Sequence, residues 1–391
     1  MRVAILTTDN REHYKDYSNP VPYFGTAPEA LLQGFSQLPE LQLHVVTCAR
    51  KQMSSPQKLA ENIWFHSLIV PKIGWMRTLY QGCIRAIRKK LREIQPDIVH
   101  GQGTERDCAI SAVFCGFPNI LTIHGNVRLI AEVTKAKPLS YAWLAARLEG
   151  WTIPRSLGVV CITEHTRKEV TGLARQTWVV PNAVDARFFE IESNPDENRT
   201  ILCVGSVCIL KNQNALIRAL DGSTLAKKAR VLFLGQAAKG EPYVEEFLRL
   251  VQARPWCAYA GFADRPTLKT HLQQASLLVL PSLEDNCPMV VLEAMAAGVP
   301  VVGAKVGGVP DLIEDRHTGL FCDPLNPGSM RGAVERMLGD PARATEIANT
   351  AKRRALERFH PHAIAARHVE IYEEVLGRHS GFQPNRASIK A

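Results

Sequence analysis

What this 391-residue chain lacks narrows its class first. No apolar run reaches the ~18–20 residues that cross a bilayer; the longest candidate, 108–123, is broken by Gly116, Pro118 and Asn119. The opening residues read as a strand with no signal-peptide cleavage pattern, which predicts a cytoplasmic protein. No C-x-x-C or H-E-x-x-H spacing occurs, so neither a zinc ribbon nor a zincin site is indicated. Gly101-Gln102-Gly103-Thr104-Glu105-Arg106 lacks the third glycine of a dinucleotide fingerprint, and no acid ends the apolar run 42–47. Acid is in deficit, with 38 Asp and Glu against 47 Lys and Arg. The net charge of +9 favours anionic partners such as sugar nucleotides, phospholipid head groups or nucleic acid.

What is present is ordinary globular composition, 46% hydrophobic and 22% charged, in a chain long enough for two domains. The ten cysteines are scattered, several inside apolar runs such as Ile201-Leu202-Cys203-Val204, and read as small core residues in a reducing compartment. Strands are predicted over 2–6, 42–47, 97–100, 119–123, 157–163 and 176–180, and again over 200–205, 230–235, 257–261, 276–281, 299–303 and 319–322. Most are continuous apolar runs rather than alternating ones, which marks strands buried on both faces of a parallel sheet. The spacers suit right-handed crossover helices. Two doubly wound α/β domains follow, with ligands expected beyond the carboxyl ends of the strands. A hinge is predicted across 181–199, with domains over 1–190 and 191–359. A helix over 360–378 returns to complete the first, and a flexible tail occupies 379–391.

The most informative segment runs from Pro281 to Gly298. A strand ends at Pro281, Asp285 or Asn286 is placed to cap a helix, Pro288 suits its first turn, and Gly298 suits its end. Amides of residues 287–290 would then be unpaired donors at a positive dipole end, a main-chain site for an anion. Glu293 is the one charge between Asp285 and Lys305. Either it lies on the solvent face of its helix, or it is interior and needs hydrogen-bond donors such as ribose hydroxyls.

This stretch resembles the signature of the retaining family 4 glycosyltransferases of GT-B fold (glycosyl transferases group 1), an acidic residue and a Glu with seven residues between. Asp285 and Glu293 fill those places, with Asp where Glu is more usual and Glu284 adjacent. The resemblance implies two Rossmann-like domains facing a central cleft and a nucleotide-sugar donor. It implies that Glu293 holds the ribose, that Asn286, Cys287, Pro288, Met289 and Val290 border the diphosphate, and that Asp285 lies near the donor sugar. It extends to Gly205, Ser206 and Lys211, where a basic pair commonly clasps the diphosphate; Ser206 replaces the usual Arg and forfeits a bidentate contact. Lys211 taken alone reads as a surface residue at a loop end. Phe262, after Gly261, matches the segment lining the base pocket, or is core packing. Gly307-Gly308-Val309-Pro310-Asp311 continues the match, which covers about residues 200–338.

The first domain matches more loosely. Gly25 and Thr26 fall where relatives have a Gly-Gly turn opening a helix, and His124 resembles the strand-end His that contacts the donor sugar. His100, another strand-end His, is expected to line the cleft. Leu79, Cys83, Ile87 and Leu91 define an apolar face on a basic helix over 77–92, with no acid from Pro71 to Arg92. Such a helix suits peripheral contact with anionic lipid at the inner face of a membrane; a solvated face accounts for it equally.

The function implied is a retaining, metal-independent glycosyltransferase of the hexosyltransferase class. It would move a sugar from a nucleotide-sugar to a saccharide or lipid-linked acceptor in polysaccharide biosynthesis, with His124, Asp285 and Lys211 catalytic. No cofactor, metal or nucleic acid is called for. The alternative is a catalytically weak GT-B nucleotide-sugar-binding module, suggested by Ser206.

Overall fold

The structure, a computed structural model, describes residues 1–197, 199–224 and 228–378. The expected tail over 379–391 lies outside the described residues. The chain divides into two compact units, Met1–Ala183 with Pro361–Ala391, and Val184–His360.

The first unit holds an eight-stranded sheet. Its strands are β1 (Arg2–Leu6), β2 (Gln42–Ala49), β3 (Lys58–Ala60), β4 (Ile63–Ile69), β5 (Ile98–Gln102), β6 (Asn119–Ile123), β7 (Val159–Cys161) and β8 (Thr177–Val179). Their order is β3-β4-β2-β1-β5-β6-β7-β8, parallel throughout except for the β3–β4 pair. Alternate residues of β1 explain the continuous apolar pattern. Val3 and Ile5 enter a core shared with the helices Thr26–Phe35 and Pro361–Arg378. Ala4 and Leu6 enter the opposite core, beneath the helices Gln81–Ile94 and Asp107–Val113. Both faces are covered, so no position along the strand is free to be polar.

β3 and β4 are absent from the sequence expectation. β4 sits toward the sheet edge and alternates buried with half-buried positions, so Ile63-Trp64-Phe65-His66 never forms a continuous apolar run. Asn62, just before it, donates through Nδ2 to the carbonyls of Phe35 (2.9 Å) and Leu38 (2.8 Å), tying the end of one helix to the strand.

The second unit holds β9 (Ile201–Val204), β10 (Val231–Leu234), β11 (Cys257–Tyr259), β12 (Leu277–Leu280), β13 (Val301–Ala304) and β14 (Leu320–Cys322), all parallel, in the order β11-β10-β9-β12-β13-β14. Strand order reverses direction between β9 and β12. Loops leaving these two neighbours run to opposite faces of the sheet and open a crevice at their carboxyl ends.

The basic helix spans Gln81–Ile94 rather than 77–92. Cys83, Ile87 and Leu91 are buried as the periodicity requires, but Leu79 is not on the helix: it has φ +49° and is exposed. Arg88 donates to the carbonyl of Phe114, so that cation is engaged within the unit. All ten cysteines are free thiols, nine of them buried. No described helix is long and apolar enough to cross a membrane.

Candidate functional site

In the second unit the loops after β9 and β12 meet at the point of strand reversal. Leu283 N donates to the carbonyl of Leu210 (2.8 Å), and Asn212 Nδ2 bridges the carbonyls of Pro281 (3.1 Å) and Pro324 (3.0 Å). This lacing places Lys211 against Asp285, and the two form an ion pair. Ser282 Oγ also donates to Asp285 Oδ2 (3.2 Å). Lys211 is therefore not a loose surface side chain.

Asp285 is held from behind by its own carbonyl, which accepts from Gly308 N (2.9 Å). Gly307 is at φ +50°, and a Cβ there would lie 2.1 Å from the Asp285 carbonyl oxygen. Only glycine satisfies both the left-handed backbone and that approach.

The helix after this loop spans Met289–Ala297 and is capped by Pro288, with no side-chain capping bond. The expectation that Asp285 or Asn286 caps it is corrected, because Asp285 is turned toward Lys211 instead. Pro288 sits one position before the helix, where its missing N–H costs nothing. The amides of Met289 and Val290 in the first turn have no intrahelical acceptor, as at any helix start. Asn286 and Cys287 lie in the approach to it.

Glu293 is 3% exposed, which removes the solvent-face reading. Its Oε1 accepts from Arg265 Nη1 (3.2 Å), and Arg265 Nε lies 3.6 Å from Asp185 Oδ2. Burial raises the Glu293 carboxyl to about 7, with Arg265 pulling it down and Asp185 pushing it up. Arg265 packs 5.3 Å over the ring of Phe188, and its Nε and Nη2 are buried without a hydrogen-bond partner. Sequence reasoning missed Arg265 and Asp185. The available signal was chemical: an interior Glu needs a cation, and Arg265 opens the helix Arg265–Gln274 just after the β11 loop.

Gly205 and Ser206 follow β9, and Ser206 is exposed. With Phe262 they border the same end of the sheet. Ser206, Tyr243, Tyr259 and Phe262 are among the lining of a pocket of about 880 Å³ at the ends of β9, β10 and β11. Phe262 is 69% exposed, which excludes core packing.

The first unit carries the remaining residues. Gly25, at φ +91°, is the N-cap of the helix Thr26–Phe35, and Thr26 is its first residue. His124 follows β6 and its Nε2 donates to Gln102 Oε1 (2.7 Å); Asn182 also hydrogen-bonds it. Burial holds its imidazolium below the ordinary histidine range. His100 Nε2 lies 2.6 Å from Thr122 Oγ1 and 3.2 Å from Gln102 Nε2, and His100 Nδ1 bonds Tyr372 Oη (2.7 Å). His100 is wholly buried, so the expectation that it lines a cleft is corrected: β5 carries its side chain under the C-terminal helix. His100 links Thr122 and Tyr372 and touches Gln102, and Gln102 accepts from His124.

Comparison with known proteins follows the same division. Residues 184–354 match the family described as "Glycosyl transferases group 1", and residues 32–188 match "Glycosyltransferase Family 4". An uncharacterized glycosyltransferase of Methanocaldococcus jannaschii is 32% identical over 186 residues, so the match spans 47% of this chain and about half, 47%, of that relative. Glycogen synthase of Mycobacterium tuberculosis is 26% identical over 321 residues, 77% of this chain and 75% of that one. Among solved structures, sucrose-phosphate synthase of Thermosynechococcus elongatus superposes with a TM-score of 0.75 at 16% identity, covering 97% of this chain and 100% of that one. HepE of Anabaena in complex with UDP-glucose gives 0.68 at 17%, covering 96% and 100%. At such identities the structural likeness speaks to the fold alone.

Proposed function

Since the chain belongs to the group 1 glycosyltransferases of GT-B fold, we propose that it transfers a sugar from a nucleotide-sugar donor, with retention at the anomeric carbon, to a saccharide or lipid-linked acceptor. The observation that carries this reading is the Lys211–Asp285 pair at the strand reversal, beside a helix start and an interior Glu293. HepE, similar in fold, is a protein whose structure is described with UDP-glucose, which supports the donor class.

Breaking the bond between the anomeric carbon and the phosphate leaves negative charge on the departing diphosphate. Lys211, the Met289 and Val290 amides and the Ser206 hydroxyl are the groups assigned to stabilise it, and the reading calls for no metal ion or cofactor. Asp285 neutralises Lys211. Arrival of a diphosphate exchanges that partner, so Lys211 turns to phosphate and Asp285 is released toward the sugar. Glu293, kept near ionisation by Arg265, accepts from the two ribose hydroxyls, and Phe262 borders the base. Gly25, Thr26 and His124 are assigned to the donor from the first unit, with His124 orienting the sugar.

A panel of UDP, GDP and ADP sugars in thermal-shift assays, followed by turnover with the best donor, tests the reading. Lys211→Ala and Glu293→Ala are each expected to lower turnover at least tenfold. Donor binding without turnover by any acceptor would favour a nucleotide-sugar-binding module. Ser206 is the specific observation behind that second reading, because a hydroxyl stands where a guanidinium would complete the clasp. A panel with no shift at all refutes both.

A further inference from the structure

The first unit carries a second pocket, of about 570 Å³, that the donor chemistry leaves unused. Its walls come from the segments after β2, β4, β5 and β6, so it lies at the carboxyl end of the sheet, the end that also carries His124. Trp75, Tyr80 and Tyr141 give it aromatic surface, and Arg50, Lys72, Arg77 and Arg106 contribute four cations. No Asp or Glu is among the residues lining it.

The cations differ in what already satisfies them. Arg50 is engaged: it pairs with the buried Glu12 and lies 5.5 Å over the Trp75 ring. Arg106 Nη2 donates to His13 Nδ1 (2.7 Å), an acceptor that carries no negative charge. Lys72 and Arg77 are exposed and take part in no ion pair among the described residues. Arg106 is also drawn to the buried carboxyl of Asp107, so Lys72 and Arg77 are the lining cations that pair with no acid among the described residues, and an anion seated between them is attracted by both. The helix Gln81–Ile94 begins at this wall with no acid in its first turn, which adds to the positive potential. Leu79 and Tyr80 both take left-handed backbone, at φ +49° and +58°, and Tyr80 is thereby turned inward to 3% exposure. That conformation is costly for non-glycine residues.

A neutral sugar is recognised by a mixture of donors and acceptors, whereas this lining offers cations, donors and ring faces. The lining is apolar in part as well: Met76 is half-buried and Ile73 is 77% exposed. We propose that this pocket seats the phosphate or diphosphate of an anionic acceptor, with the adjoining apolar or sugar portion against Trp75 and Tyr141. The assignment rests on the reading of the chain as a sugar transferase. The phosphate belongs either to a lipid-linked acceptor or to a free sugar phosphate, and the two are told apart by what they carry beside it.

Calorimetric titration of the full chain with octyl phosphate, a hexose phosphate and the neutral octyl glucoside tests this. Octyl phosphate or the hexose phosphate is expected to bind saturably, and the tighter of the two identifies the source. In the Lys72→Ala/Arg77→Ala double variant that binding weakens at least tenfold, and raising salt weakens it less steeply than in the parent chain. Binding of the nucleotide chosen by the donor panel stays unchanged in the variant, which also establishes that it is folded. Equal binding of octyl glucoside and octyl phosphate, or a variant indistinguishable from the parent, overturns this proposal while leaving the donor reading intact. Absence of nucleotide binding in the parent chain, with octyl phosphate still bound, overturns the transferase reading and with it the acceptor role.

Discussion

Glu293→Gln isolates the free energy stored in the buried carboxyl. In the folded chain this group titrates at about 7 against 4.5 when free. At 1.36 kcal/mol per pH unit that interval is worth about 3 kcal/mol. Below pH 4.5 folded and unfolded chains are both protonated at this position and the term vanishes. Between 4.5 and 7 the unfolded chain ionises while the folded one keeps its proton, so stability falls as pH rises. Above 7 the whole penalty is present. Gln preserves the shape and removes the titration. It also deprives Arg265 of a carboxylate, leaving Asp185 at 3.6 Å; the attraction of Arg265 for the ionised form is already contained in the value of about 7, which it lowers. The expected result is a variant that gains about 3 kcal/mol on the parent between pH 4.5 and 8. For a unit of this size that is a shift on the order of 5–10 °C in melting temperature. Calorimetric melting of both proteins across the range measures it. Parallel curves would refute the interior, desolvated placement of Glu293.

Gly307→Ala brings a Cβ to 2.1 Å from the Asp285 carbonyl in a left-handed backbone, so the 284–286 loop must move. Thermal melting is expected to show a loss of about 2–4 kcal/mol, and donor binding is expected to fall with it; a variant that melts and binds like the parent would show that the loop does not depend on this contact. His368 is buried and its imidazolium is pushed down to about 4 by burial, with its Nε2 unpartnered. Its neutral form is favoured by folding, so stability is lost as pH falls from 6.5 toward 4, by about 3 kcal/mol. His368→Phe keeps the ring and removes the proton, and its stability is expected to depend less steeply on pH in that window than the parent's; an equal slope in acid titration of the two proteins contradicts this.

Local chemistry in the sequence sufficed for the two wound sheets, because strands covered on both faces leave an uninterrupted apolar signature, as Val3 to Leu6 shows. The same logic picked out Glu293 as an anomaly in an apolar helix, and the spacing from Asp285 led to the family. β4 escaped because, next to the edge strand β3, it buries only alternate positions, and its alternation is short. Pairing across the chain was invisible for a different reason. Arg265 lies 28 residues from Glu293 in sequence and Asp285 lies 74 from Lys211, and no periodicity encodes which loops meet where strand order reverses. The capping assignment failed on the same point: Asp285 is a good cap by type, but tertiary packing gave it Lys211 and Gly308. His100 and His124 occupy equivalent strand ends in the sequence, yet the returning helix Pro361–Arg378 seals one into the core and leaves the other half-buried. Composition and pattern determine which segments must be buried; only the folded chain decides which buried or half-buried polar groups find one another, because that depends on distances between residues far apart along it.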